Sequence, residues 1–191
     1  ILDHLPDFTL AEQDYRNDAS MRDFGVFLTE DDMQKKMQEM KLTMTLEQTR
    51  FAEEVYSAMC DPGKKERQFF LSGSGGSGKT YLYEYLYYLS RTSRMNVINV
   101  AHTGIAATLL IHGQTAHRRF ILPLNMGREG RSRMRTDSAV SNVLRKADLI
   151  IYDEATMADI YVFEAIEKLL RDVMNTERTP FGGKVIVFGG D

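Results

Sequence analysis

Read for its apolar positions alone, the chain changes character twice. Residues 1–42 show little periodicity until "TEDDMQKKMQEM", where Met33, Met37 and Met40 fall at helical spacing on an otherwise charged segment. A methionine stripe of that kind predicts a short helix with a docking face. "TLEQTRFAEEVYSAM" predicts a stronger helix. Thr45 and Gln48 fit a capping box, and Leu46, Phe51, Val55 and Met59 supply its apolar face. "DPGKKER" ends it, because Pro62 and Gly63 stop helices.

From there the pattern alternates. Apolar runs predict strands at Gln68–Leu71, Val97–Ala101, Leu149–Tyr152 and Lys184–Phe188, and helical patterns fall at Lys79–Ser90, Ile105–Ile111 and Ala158–Met174. Continuous apolar strands separated by helices predict an α/β fold, a parallel sheet with helices on both faces. The segment 123–137, with Gly127, Gly130 and several arginines, predicts an exposed insertion. The chain thus divides into an acidic, partly helical extension over 1–42 and an α/β domain over 43–191.

Composition narrows this picture. A chain of 191 residues suffices for one domain with a substantial core. No run of about 18 apolar residues occurs, which argues against a membrane-spanning helix. The opening "ILDHLPDFTL" lacks an initiator methionine, a basic n-region and an apolar h-region, so no secretory signal is visible. That opening, and an end directly after the strand-like "KVIVFGGD", predict a piece of a longer protein. Cys60 is the only cysteine, which precludes an internal disulfide and suits a reducing compartment; it reads as a small apolar residue at a helix end. His4, His102, His112 and His117 have no cysteine partners at zinc spacing.

The net charge of −3 conceals an uneven distribution. Asp3, Asp7, Glu12, Asp14, Asp18, Asp23, Glu30, Asp31, Asp32 and Glu39 dominate the first forty residues. Between His117 and Lys146 the balance reverses, with Arg118, Arg119, Arg128, Arg131, Arg133, Arg135, Arg145 and Lys146 against Glu129 and Asp137. That basic segment is either a polyanion contact or a solvated loop.

The chemistry concentrates in "GSGGSGKT", which matches G-x-x-x-x-G-K-[ST] at every fixed position between a strand pattern and a helix pattern. Gly73, Ser74, Gly75, Gly76, Ser77 and Gly78 allow successive backbone N–H groups to surround phosphates without a Cβ clash. The following helix directs its N-terminal dipole at the same anions. Lys79 would reach the β- and γ-phosphates of ATP, and the Thr80 hydroxyl would ligate Mg²⁺. "DLIIYDEA" supplies the partner carboxylates at the end of an apolar run. Asp153 would hold the Mg²⁺ shell, and Glu154 would take a proton from the attacking water, which favours hydrolysis over transfer to a substrate hydroxyl. No Asn-Lys-x-Asp string for reading guanine occurs.

What hydrolysis drives is indicated by "NVINVAHTGIAATLLIHGQTAHRRFILP". Here the chain resembles the superfamily 1 DNA helicases of the petite-integration-frequency type, most closely the branch carried by Helitron transposons. "HTGIAATLL" resembles that family's strand-contacting motif, "GQTAHRRFILP" the segment after it, and "LIIYDEATM" its Asp-Glu motif, where many relatives have proline at Thr156. "FEAIEKLLRDVMN" and "PFGGKVIVFGGD" resemble the stretch leading into the next motif, and the likeness spans roughly residues 43–191. The resemblance implies the first RecA-like domain of an ATP-dependent 5′-to-3′ DNA helicase, nuclear or mitochondrial, with roles in repair, recombination, telomere maintenance or transposition. It also implies single-strand contacts from Thr103, Gly104, Thr115, His117 and Arg118. His117 is otherwise readable as a core histidine. "LTMTLEQ" resembles the adenine-reading glutamine motif, which gives Gln48 a role compatible with its capping box. The low net charge is no obstacle, since a motor needs only a local basic groove.

The resemblance stops at Asp191, short of an Arg-Gln element that senses the γ-phosphate and of a second motor domain with its arginine finger. A finger contributes roughly 10³–10⁵ to turnover. The expectation is that these 191 residues alone bind ATP–Mg²⁺ weakly, turn it over slowly and unwind nothing. Two other readings remain open: a remnant that binds nucleotide or DNA without catalysis, and a P-loop kinase, the latter disfavoured by Glu154 and "HTGIAA".

Overall fold

The computed structural model describes residues 28–191. The acidic positions Asp3 to Asp23, with the rest of 1–27, lie outside the described residues.

Two capped helices come first. Helix α1 (Glu30–Thr43) starts from a Thr29–Asp32 capping box and α2 (Leu46–Cys60) from the predicted Thr45–Gln48 box. In the latter the Gln48 N–H donates to Thr45 Oγ1 at 3.2 Å, and the Thr45 N–H donates to Gln48 Oε1 at 3.0 Å. The α/β part continues with β1 (Gln68–Ser72), α3 (Lys79–Thr92), β2 (Val97–Ala101) and α4 (Gly104–Leu109). Then come β3 (Gln114–Thr115), α5 (Ala116–Arg119), α6 (Ala139–Lys146), β4 (Leu149–Asp153), α7 (Ile160–Met174) and β5 (Val185–Gly190).

The five strands are all parallel, in the order β1-β5-β4-β2-β3. Strand β4 is buried along its whole length because helices cover both faces. Its Leu149 and Ile151 join Val185, Val187 and residues of α1–α4 in one core. Ile150 and Tyr152 join Ile98, Val100, Ile186 and residues of α6 and α7 in the other. The methionine stripe docks within the protein: Met40 is buried, and Met33 and Met37 pack on the same core as α3. A Lys36–Glu84 ion pair at 2.7 Å and a Tyr81 Oη hydrogen bond to the Met40 carbonyl at 3.2 Å tie α1 to α3. Among the described residues no helix is long and apolar enough to cross a membrane.

Several expectations change. Helix α4 stops at Leu109, since Leu110 is extended and His112 has φ 52°, so the helical pattern up to Ile111 is not followed. Helix α6 was hidden inside the basic stretch; Ser138 caps it, and Val140 and Leu144 bury its apolar side. The 123–137 segment has no helix or strand and is mostly exposed, but it is pinned. Met134 is buried, and the Arg133 N–H donates to the Ile121 carbonyl at 3.0 Å. Cys60 ends α2 in an exposed position.

Candidate nucleotide site and strand-facing edge

The glycine-rich loop leaves β1 at Ser72 and turns into α3. Its entry is fixed by the Gly73 N–H, which donates to the Gly190 carbonyl at 3.1 Å, and its interior by the Ser77 N–H on the Ser74 carbonyl at 3.1 Å. Gly78, the N-cap of α3, has φ 90°, a left-handed conformation that favours glycine. A Cβ there would lie 3.0 Å from Gln48 Nε2. Gln48 therefore uses its carbonyl oxygen in the capping box while its amide nitrogen faces the loop. Lys79 Nζ folds back on the loop, donating to the carbonyls of Gly73 and, at 3.3 Å, Ser74, and pairs with Asp191 Oδ1 at 3.3 Å. The sequence did not single out Asp191. Parallel pairing of β1 with β5, Ser72 opposite Gly190, is what places it beside the loop.

The carboxylates stand at the end of β4. Asp153 is buried, and Tyr83 Oη from α3 donates to its Oδ1 at 3.0 Å. Burial, and then the neighbouring carboxylate, hold the Tyr83 phenol well above its ordinary range, so it stays a donor. Tyr83 thereby positions the candidate metal ligand. The same pair requires glycine at 189, where a Cβ would fall 1.6 Å from Tyr83 Oη and 3.0 Å from Asp153 Oδ1. Glu154 follows in a left-handed conformation, φ 53° and ψ 34°, a strained position for a residue with a side chain. Its Oε2 accepts from Thr103 Oγ1 at 2.6 Å, a short charge-assisted hydrogen bond. The His102 N–H donates to the Asp153 carbonyl at 3.1 Å, fastening the ends of β2 and β4 together.

The predicted strand contacts gather beyond that point. Thr103 caps α4, accepting from the Ala106 N–H at 3.2 Å, and Gly104 is exposed. Thr115 lies opposite Ala101 across the β2–β3 pair and caps α5 through the Arg118 N–H at 3.3 Å. The His117 ring lies 6.2 Å from His102; burial first, and His102 second, hold its imidazole below the usual histidine range. Arg118 is exposed. The basic stretch is neither a single contact face nor a single solvated loop. Arg119 is buried, Arg135 pairs with Asp137 at 2.9 Å, and Arg145 donates to the carbonyls of Val173 at 3.1 Å and Thr136 at 2.8 Å. Arg118, Arg128, Arg131, Arg133 and Lys146 keep exposed positions.

Residues 43–191 match the family model described as PIF1-like helicase. The chain belongs to the PIF1-like helicase family. Its curated relatives include the ATP-dependent DNA helicase PIF3 of Trypanosoma brucei brucei, 35% identical over 122 residues, covering 64% of this chain and 14% of that protein. The ATP-dependent DNA helicase Pif1 of a Psychrobacter species is 33% identical over 131 residues, 67% of this chain and 19% of its own length. Among solved structures, Bacteroides Pif1 bound to single-stranded DNA superposes with a TM-score of 0.62 at 31% identity, over 77% of this chain and 32% of that one. The Bacteroides Pif1 complex with ADP-AlF3 and single-stranded DNA gives 0.59 at 32% identity, over 73% of this chain and 32% of that one. The PIF1-like chain described here therefore spans under a fifth of these curated relatives and about a third of these solved chains.

Proposed function

We propose that residues 43–191 form the first motor domain of an ATP-dependent 5′-to-3′ DNA helicase, in which hydrolysis drives movement along a single strand. One observation carries this reading. The phosphate loop after β1, the Asp153–Glu154 pair after β4 and the Thr103–Arg118 strip after β2 and β3 share one edge of the sheet, with Glu154 hydrogen-bonded to Thr103. A site for hydrolysis and a surface for a strand thus adjoin.

The loop N–H groups and Lys79 bind the phosphates, with Lys79 exchanging its contacts to Gly73, Ser74 and Asp191 for phosphate oxygens. Gln48, whose amide faces the loop, contacts the adenine. Thr80 and Asp153 would hold Mg²⁺. Among the described residues no three His, Cys, Asp or Glu side chains cluster as a protein-only metal site, and a hydroxyl plus one carboxylate suits an ion that shares its shell with phosphates and water. Mg²⁺ would neutralise charge on the phosphates. Tyr83 keeps Asp153 aimed, and Glu154 orients the attacking water and takes its proton. A second motor domain supplies the arginine finger and closes on the strand. Action in DNA repair, recombination, telomere maintenance or transposition, in the nucleus or mitochondrion, belongs to the same proposal.

The test is ATPase activity of the full-length protein containing residues 1–191, with and without single-stranded DNA. Stimulation by the strand, and its loss together with basal turnover in Lys79→Ala, are expected. Turnover that ignores the strand, or that survives Lys79→Ala, overturns the reading; turnover that requires a phosphoryl acceptor would indicate a kinase.

A further inference from the structure

We propose that the Thr103 hydroxyl is a latch: it holds the Glu154 carboxylate until a strand phosphate accepts its hydrogen bond instead, and so makes hydrolysis wait for DNA. The proposal rests on the reading of Glu154 as the base and of Thr103 as a strand contact, and adds how the two are coupled.

The hydroxyl has one proton to give. Its oxygen accepts from the Ala106 N–H at 3.2 Å, while its proton goes to Glu154 Oε2 at 2.6 Å. A phosphate oxygen only accepts, so a strand that hydrogen-bonds this side chain must compete with Glu154 for that proton. The two partnerships exclude one another, and a phosphate arriving beside a carboxylate adds charge repulsion that pushes Glu154 away. Asp153 is fixed independently by Tyr83 and by the His102 N–H on its carbonyl. Release therefore redirects the base without disturbing the candidate metal ligand. Thr103 acts through Glu154 and is a positioning residue, not a catalytic one.

Coupling of this kind is reciprocal. If the strand frees Glu154, removing Glu154 must free the hydroxyl for the strand.

Steady-state ATPase of the full-length protein containing residues 1–191, with and without oligo-dT, tests the first half. Thr103→Val should raise strand-independent kcat at least about fivefold, the rate equivalent of one released hydrogen bond, leave KM for ATP unchanged and bring the stimulation ratio towards one. Thr103→Ser, which keeps the hydroxyl, should recover stimulation. Strand-independent turnover at or below wild type in Thr103→Val overturns the latch. Nucleotide-free oligo-dT binding, read by fluorescence anisotropy, tests the second half and does not depend on turnover. Glu154→Ala should tighten binding, and that tightening should vanish in the Thr103→Val background. If it persists there, simple charge removal explains it and the latch is wrong. A wild-type protein whose ATPase ignores oligo-dT sinks the helicase reading and the latch together; a stimulated wild type with an unchanged Thr103→Val variant sinks the latch alone.

Discussion

The Tyr83–Asp153–Gly189 contact allows a quantitative test. A methyl at position 189 would fall 1.6 Å from Tyr83 Oη and 2.9 Å from its Cζ, and Tyr83 is only 2% exposed, so its ring has no room to swing aside. Gly189→Ala must therefore break the phenol–carboxylate hydrogen bond, worth about 1.5–3 kcal/mol for a charged partner, and overpack the site by about 1–3 kcal/mol. Tyr83→Phe alone loses the same hydrogen bond and nothing else. In the double variant that bond is lost once, and the alanine meets the ring carbon at 2.9 Å and Asp153 Oδ1 at 3.0 Å but no phenol oxygen. The two changes should couple favourably by about 2 kcal/mol, the worth of the shared hydrogen bond. Urea unfolding of the four proteins by circular dichroism measures this. A Gly189→Ala protein that fails to fold, rescued by Tyr83→Phe, would show the same sign. Additivity within about 0.5 kcal/mol would refute the contact.

Other outcomes follow from particular side chains. Lys184 is buried with its ammonium donating to the carbonyls of Arg145 at 2.7 Å and Ala147 at 2.8 Å, and burial, opposed by Asp148 and assisted by Arg67 and Arg145, brings its pKa down to about 8. The unfolded chain then binds more protons between about pH 8 and 10.5, so stability should rise with pH across that window. Unfolding free energies from urea titrations at about pH 7.5 to 9 should climb by up to about 1.4 kcal/mol per pH unit and flatten in Lys184→Met; a falling free energy contradicts the assignment. The measurement stops at about pH 9 because burial keeps Tyr83, Tyr85, Tyr87, Tyr88 and Tyr152 protonated in the fold, which reverses the slope as free tyrosines ionise. For the docking of α1, Met40→Ala should cost about 2–5 kcal/mol as a buried truncation. Lys36→Ala should cost under about 1 kcal/mol, because its pair with Glu84 is partly exposed and salt-screened. Unfolding in low and high salt separates the two.

The alternation of apolar runs and helical patterns was enough to predict a parallel α/β sheet, and the loop, Lys79, Asp153 and Glu154 carry their chemistry in adjacent residues. What stayed hidden are contacts between residues far apart in the chain. Of the five tyrosines in α3, Tyr81 hydrogen-bonds Met40 on α1 while Tyr83 meets Asp153 on β4. Only the helix phase combined with the strand order distinguishes them. Arg119 and Arg145 look in sequence like any other arginine of the basic stretch, since nothing local says which will be buried or will cap a carbonyl.

The Thr103–Glu154 bond depends on register in the same way. β2 lies against β4 with Ala101 opposite Asp153, so the residues just past those two meet. Burial alone does not set that register. All five residues of β4 are buried and Leu149–Tyr152 carry apolar or aromatic side chains on both faces, so over those four residues a one-residue slip would exchange one apolar face for another. Polar contacts at the two ends can set it. At the start, the Asn96 N–H donates to Asp148 Oδ2 at 2.7 Å, Asn96 Nδ2 to the Lys146 carbonyl at 3.1 Å, and the Asp148 N–H returns to the Asn96 carbonyl at 2.8 Å. At the far end the His102 N–H closes on the Asp153 carbonyl at 3.1 Å. A slipped pairing would break both clasps and carry Thr103 one residue, roughly 3.3 Å, along the sheet from Glu154. The proposed coupling of strand to base therefore depends in part on Asn96 and Asp148, at the opposite end of the strands from the chemistry they align.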